Sequence, residues 1–159
     1  MTRKEQYNQL ILQIAGLIKD ETNLVGILAN VSAALHDTFP ERFFWVGFYL
    51  QENGNMLRLG PFQGSVACYV IPFGKGVCGK AWEEGCTLIV PDVEKFPGHI
   101  ACSSLSRSEI VVPMYDDSHT FRGVLDIDST RLNDFNEDDK EGLERIIELL
   151  MEETQDLFQ

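Results

Sequence analysis

The chain has 159 residues, and its apolar share (44%) and charged share (24%) fit a single globular domain over 1–159 and exclude a disordered or fibrous protein. Its 25 acids against 13 bases leave a formal charge of −12, which excludes nucleic acid and anionic membrane as partners, because both need basic patches that displace counterions. A small or cationic ligand suits that balance better.

No apolar run approaches the roughly 18 residues that cross a bilayer, and the N-terminal stretch MTRKEQYNQLILQIAGLIKD is amphipathic rather than signal-like, so a cytosolic (cytoplasmic) protein is expected. Tyr7, Leu10, Ile11, Ile14, Leu17 and Ile18 recur at helical spacing and predict a first helix over 4–19. Val25, Leu28, Val31, Ala34 and Leu35 predict a second over 24–36, capped by Asn23 and stopped by Pro40. The run RFFWVGFYL (42–50) is apolar on both faces and reads as a central strand. Asn53 and Gly54 make the turn into a strand over 56–60. Short strands follow at 69–71 and 88–90, with a short helix at 76–85 between them. PDVEKFPGHIACSSLSRS reads as a long loop, of a length usually kept for function. A hairpin over 109–115 and 121–129 and an amphipathic helix over 138–158 close the chain. This order predicts an α+β domain, a central antiparallel sheet with N- and C-terminal helices packed against it.

In the cytosol the four cysteines are not expected to form structural disulfides, since disulfides there are usually transient and catalytic or redox-sensing. A reactive thiol needs a helix N-terminus or cationic neighbours, whereas apolar burial deactivates it. Cys102 has His99 three residues before it, Lys95 and Arg107 on either side, and Ser103, Ser104 and Ser106 beside it, which makes it the candidate nucleophile. Cys78, after Gly74 and Gly76 at the start of the short helix, is second. Judged alone, Cys68 beside Ala67 reads as packing, and Cys86 between Gly85 and Thr87 as structural or incidental. No CxxC pair is present, and His99 with Cys102 in HIAC supplies only two ligands, so neither a metal nor another cofactor is expected.

In GVLDIDS the strand period puts Val124, Asp126 and Asp128 on one face and Leu125 and Ile127 on the other. Glu109, heading the apolar run IVV, is a third acid that joins them. Close, partly desolvated carboxyls do not all ionise, so one is kept protonated and can act as an acid. In the central strand Phe43, Trp45, Gly47 and Tyr49 share one face, and Phe44, Val46, Phe48 and Leu50 form the other, core face. Gly47 leaves room between two amphipathic rings. Trp45 and Tyr49 either line a ligand pocket, offering an indole N–H and a phenol, or pack under a helix.

Taken in order, FWVGFY, GPFQGSVAC, GKGVCGKA, PDVEKFPGHIAC, SEIVVP and GVLDIDS resemble the free methionine-(R)-sulfoxide reductases, which are single GAF-domain enzymes, over residues 45–135. The resemblance implies that Cys102 attacks the sulfoxide sulfur, that Cys68 resolves the resulting sulfenic acid as a disulfide, and that thioredoxin is the reductant. It leaves the part of Cys78 open. It also implies that Trp45 and Tyr49 surround the methyl and sulfoxide groups, while Glu109, Asp126 and Asp128 divide between protonating the oxygen and binding the ammonium group. Cys86 lies outside the three-thiol pattern, and Ser103 stands where many relatives carry an acid. The competing readings are a non-enzymatic GAF module sensing a small ligand or redox state, and a zinc-bound structural domain. The terminal helices leave room for a homodimer.

Overall fold

The computed structural model describes residues 1–158. Helices α1 (Arg3–Ile18) and α2 (Leu24–Thr38) lead into strands β1 (Trp45–Glu52), β2 (Met56–Gln63) and β3 (Val70–Pro72). Helix α3 (Gly76–Glu84), strand β4 (Leu88–Val90), the hairpin β5 (Ser108–Tyr115) and β6 (Phe121–Ser129), and helix α4 (Glu137–Thr154) follow. The strands form one six-stranded sheet in the order β3-β2-β1-β6-β5-β4, antiparallel throughout. This is the expected α+β class, and no helix among the described residues is long and apolar enough to cross a membrane.

The sheet has two unlike faces because the strand sequences alternate. Val46, Phe48, Ile110, Val112, Leu125 and Ile127 face α1, α2 and α4 in the larger core. Trp45, Tyr49, Val111 and Val124 face the other way, toward α3 and the long loops. Asn23 caps α2 by accepting from the Gly26 N–H, as its position predicts. At the end of α3 Gly85 takes φ 68°, the left-handed cap conformation that glycine adopts without penalty.

One expectation fails at the entry to β1. The strand starts at Trp45, not at 42, because the N–H groups of Arg42 and Phe43 both donate to the Phe39 carbonyl in a turn after α2. Strand alternation therefore does not extend back to the two phenylalanines. Phe43 enters the helix-side core, and Phe44 packs on the opposite side, the reverse of their assignment by period. The final helix also ends earlier than 158, at Thr154, with a 3-10 turn over Gln155–Leu157.

The helical layer is pinned by one fully buried carboxylate. Asp139 accepts from the Tyr7 hydroxyl (2.7 Å), Arg3 Nη1 (2.8 Å), Arg42 Nη2 (3.1 Å) and the Asn136 N–H (2.9 Å). The last of these closes a capping box at the start of α4. One side chain thus joins α1, the α2–β1 turn and α4. Asp139→Ala leaves the largely buried Arg42 guanidinium without its main anion, and the expected loss is about 3–5 kcal/mol, read by denaturant unfolding. A loss below about 1 kcal/mol, the value of a surface ion pair, contradicts this assignment.

Candidate active site

The site is built on the sheet face away from α1, α2 and α4. Register places Glu109 opposite Asp128 and Val111 opposite Asp126 across β5 and β6, and Trp45 and Gly47 of β1 opposite Asp128 and Asp126. The alternation read in GVLDIDS therefore holds, and the three acids share one cavity wall with Trp45 and Tyr49. Cys78, in the first turn of α3, forms part of the roof. His99 and Cys102 come from the long loop.

Trp45 and Tyr49 do line the cavity, but their polar ends point elsewhere. The indole Nε1–H donates to the Ser65 carbonyl (3.0 Å), and the Tyr49 hydroxyl donates to the Cys68 carbonyl (3.0 Å). The rings border the cavity, while the N–H and O–H tie down the segment carrying Cys68. Gly47 does not leave open room between them either. A Cβ there would collide with the Phe62 Cβ, and Phe62 itself stacks on Trp45 at 5.1 Å, while Tyr49 stacks on Trp45 at 5.9 Å. The glycine admits a third ring rather than a ligand.

Cys68 and Cys102 are joined by a disulfide, with Cα atoms 5.5 Å apart. With this bond in place the cavity measures about 50 Å³, far below the roughly 300 Å³ at which small-molecule sites begin. Cys78 and Cys86 are free. Cys86 is exposed and lies in a separate groove beside Tyr115 and Glu144. Cys78 sits at a helix start, as expected, but burial pushes its thiol well above the ordinary value, and Asp126, Glu109 and Asp128 push it further. Burial and three acids thus outweigh the helix terminus, so Cys78 is a neutral thiol.

The acids are perturbed in the same direction. Burial raises Glu109 well above the usual carboxylate range, with Asp126 and Asp128 adding to it. Asp128 is raised by burial and then by Asp126. Asp126 is raised by burial too, but hydrogen bonding from Glu109 and Cys78 pulls it back. All three are thus pushed toward the protonated form, and Asp126 is the one that hydrogen bonds pull back toward ionisation. Asp126 Oδ1 and Ser106 Oγ, both in the cavity wall, are buried without hydrogen-bond partners. The orphaned carboxylate oxygen of Asp126 points to a ligand with a donor.

Sγ of Cys78 and one carboxylate oxygen each of Glu109 and Asp126 lie within 4.8 Å of one another, a donor set that cysteine spacing could not reveal. These atoms could hold a soft divalent cation only by giving up the protons that burial keeps on them. His99 also takes a different part from the one its place beside Cys102 suggested. Burial lowers its pKa, so it is neutral rather than a cation for the thiolate, and its Nε2 faces Glu109 Oε1 at 3.8 Å. Phe44 and Ser106 line the cavity as well, although Phe44 was expected in the core and Ser106 only as a neighbour of Cys102. Phe44 was placed on the wrong face, and Ser106 lies in a loop with no period to orient it.

A carboxyl whose folded pKa exceeds its unfolded value binds more protons in the folded state. Its contribution to stability is present at low pH and is lost as pH rises from the ordinary carboxylate range through the raised value. Glu109→Gln removes one such group, so the decline of unfolding free energy as pH rises above the ordinary carboxylate range becomes shallower than in the unaltered protein. Equal slopes for the two proteins contradict a protonated Glu109.

Comparison with known proteins agrees with this geometry. The model of the GAF domain family matches residues 21–151. The chain is similar to GAF domain-containing protein A of Dictyostelium discoideum, at 56% identity over 94% of this chain and 92% of that one. It is similar to the free methionine-R-sulfoxide reductase of Saccharomyces cerevisiae, at 43% identity over 94% and 86% of the two chains. Among solved structures it superposes with a TM-score of 0.93 on the free methionine-R-sulfoxide reductase of Neisseria meningitidis in complex with its substrate, 46% identical, covering 98% of this chain and 92% of that one. With its GAF fold, its paired thiols and its acid-lined pocket, the chain belongs to the GAF-domain family of free methionine-R-sulfoxide reductases.

Proposed function

We propose that this protein reduces free methionine-(R)-sulfoxide in the cytosol, with Cys102 as nucleophile, Cys68 as resolving thiol and thioredoxin as the source of electrons. The observation that carries the proposal is the Cys68–Cys102 bond at a cavity whose acids are held protonated. Cys102 sulfur attacks the sulfoxide sulfur while an acid protonates its oxygen. Methionine leaves with two more electrons on its sulfur, and the oxygen ends on Cys102 as a sulfenic acid. Cys68 then attacks that sulfur, the S–S bond forms, and the oxygen leaves as water. One sulfoxide and two thiols become one thioether, one disulfide and one water.

Within this scheme Glu109, protonated and beside the neutral His99, is the proton donor to the sulfoxide oxygen. Asp126, nearest to ionisation and with an unpartnered oxygen, receives the ammonium group, and Asp128 stays neutral beside them. Trp45 and Tyr49 hold the methyl end. Cys78, buried and neutral, takes no redox part and serves to hold Asp126. The narrow cavity of the disulfide form is then the product state, which must be reduced before substrate enters.

The deciding experiment is epimer-resolved turnover of free methionine sulfoxide. The R epimer should be consumed and the S epimer spared. Cys102→Ser abolishes the reaction, Cys68→Ser releases about one methionine per enzyme and stalls, and Cys78→Ser keeps most of the activity. Ligand binding without turnover, or full activity in Cys102→Ser, returns the protein to the sensing modules. Tyr49→Phe removes the tether on the Cys68 carbonyl. It should slow disulfide formation by about 5–10-fold, the worth of one hydrogen bond, while single-turnover release of methionine changes less. If both steps slow equally, the hydroxyl serves substrate binding instead.

A further inference from the structure

We infer that the surface around the Cys68–Cys102 bond is a docking patch for a dithiol protein reductant, an inference that rests on the reading above. Three large apolar side chains stand out in solvent here: Val66 (88% exposed), Tyr69 (76%) and Leu105 (59%). Val66 and Tyr69 flank Cys68 within two residues, and Leu105 follows Cys102 by three, so each lies within about 11 Å of one end of the bond along the backbone. None of the three belongs to either core, and Val66 also lines the cavity. Apolar groups clustered around one reactive bond mark a surface that another protein covers.

Tyr69 is exposed but its backbone is not loose. Its carbonyl accepts from the Leu59 N–H of β2 (2.9 Å), and the preceding Cys68 carbonyl accepts from Tyr49. An aromatic ring presented on a fixed backbone costs little entropy to bury and is the kind of residue that dominates protein interfaces. The occupant follows from what the patch surrounds. A disulfide that must be opened at every turnover takes two electrons from a dithiol. A thiolate of the partner attacks one sulfur, forming a mixed disulfide and releasing the other cysteine as thiolate. The partner's second thiol then displaces the remaining cysteine and leaves oxidised. A small anionic thiol such as glutathione has no use for three apolar side chains and is repelled by a chain of net charge −12.

The test compares thioredoxin with dithiothreitol as reductant of the full chain, using the double variant Tyr69→Ala/Leu105→Ala; neither residue lines the substrate cavity. Thioredoxin-driven kcat/KM should fall about 10-fold or more, as for loss of interface anchors, while the dithiothreitol-driven rate stays within about twofold. Leu12→Ala, equally exposed at 76% but on α1, should change neither. Equal loss with both reductants, no loss with thioredoxin, or an unaltered protein that turns over on dithiothreitol but not on thioredoxin overturns the docking patch. Absence of turnover with dithiothreitol overturns the enzymatic reading itself, and this inference with it.

Discussion

Three carboxyl groups gathered on one sheet face, Glu109 and Asp126 buried and Asp128 half-buried, with no cation beside them, are the constraint on which the site depends. Register across β5 and β6 forces Glu109, Asp126 and Asp128 together, and the aromatic wall keeps water from dispersing their charge. Such a cluster persists only by holding protons. The same burial reaches every neighbour: Cys78 is denied its thiolate, Tyr49 keeps its phenol proton, and His99 is a neutral group facing Glu109. The pocket is a store of protons beside a pair of thiols. Sulfoxide reduction needs both, because the oxygen leaves sulfur only when protonated.

The opposite face of the fold answers the same problem differently. Asp139 is buried more completely than any acid of the site, yet it meets two guanidinium groups, a phenol and a backbone N–H, and its valences are filled. That arrangement is structural, since nothing is left to offer a ligand. The site acids are instead left short, with Asp126 Oδ1 unpartnered. A protein that leaves an acceptor empty at one buried carboxyl while saturating another has placed its cost where a ligand can offset it.

Much of this was legible in the sequence where a short period and a single environment coincide. GVLDIDS is a clean alternation inside a paired strand, so the faces of Val124, Asp126 and Asp128 followed directly. The aromatic run failed at its start, because a turn hydrogen-bonded to the Phe39 carbonyl delays the strand until Trp45 and shifts Phe43 and Phe44 to the faces opposite those assigned. Gly47 was read as space, but space beside a glycine belongs to whichever residue lies across the ladder, and that residue was Phe62. Cys78 and His99 lie in surroundings that local sequence could not show, for a common reason. Local sequence shows a helix start or a nearby thiol, whereas desolvation depends on what the rest of the chain piles on top.

The two cysteines are held unequally, and that asymmetry bears on the proposed cycle. The Cys68 segment is tied to the sheet by Trp45 at Ser65, by Tyr49 at Cys68 and by Leu59 at Tyr69, three bonds from two strands. Around Cys102 the bonds are local: His99 N–H to Phe96, Cys102 N–H to Ile100, Leu105 N–H to Ser103. A loop held by short-range bonds opens at lower free energy than one stitched to strands. The nucleophile must first face the sulfoxide and afterwards face its partner, so one of the two thiols has to travel. In the proposed cycle the fixed thiol is Cys68 and the travelling falls to Cys102, with the aromatic residues that line the pocket spending their only polar atoms on the segment of Cys68.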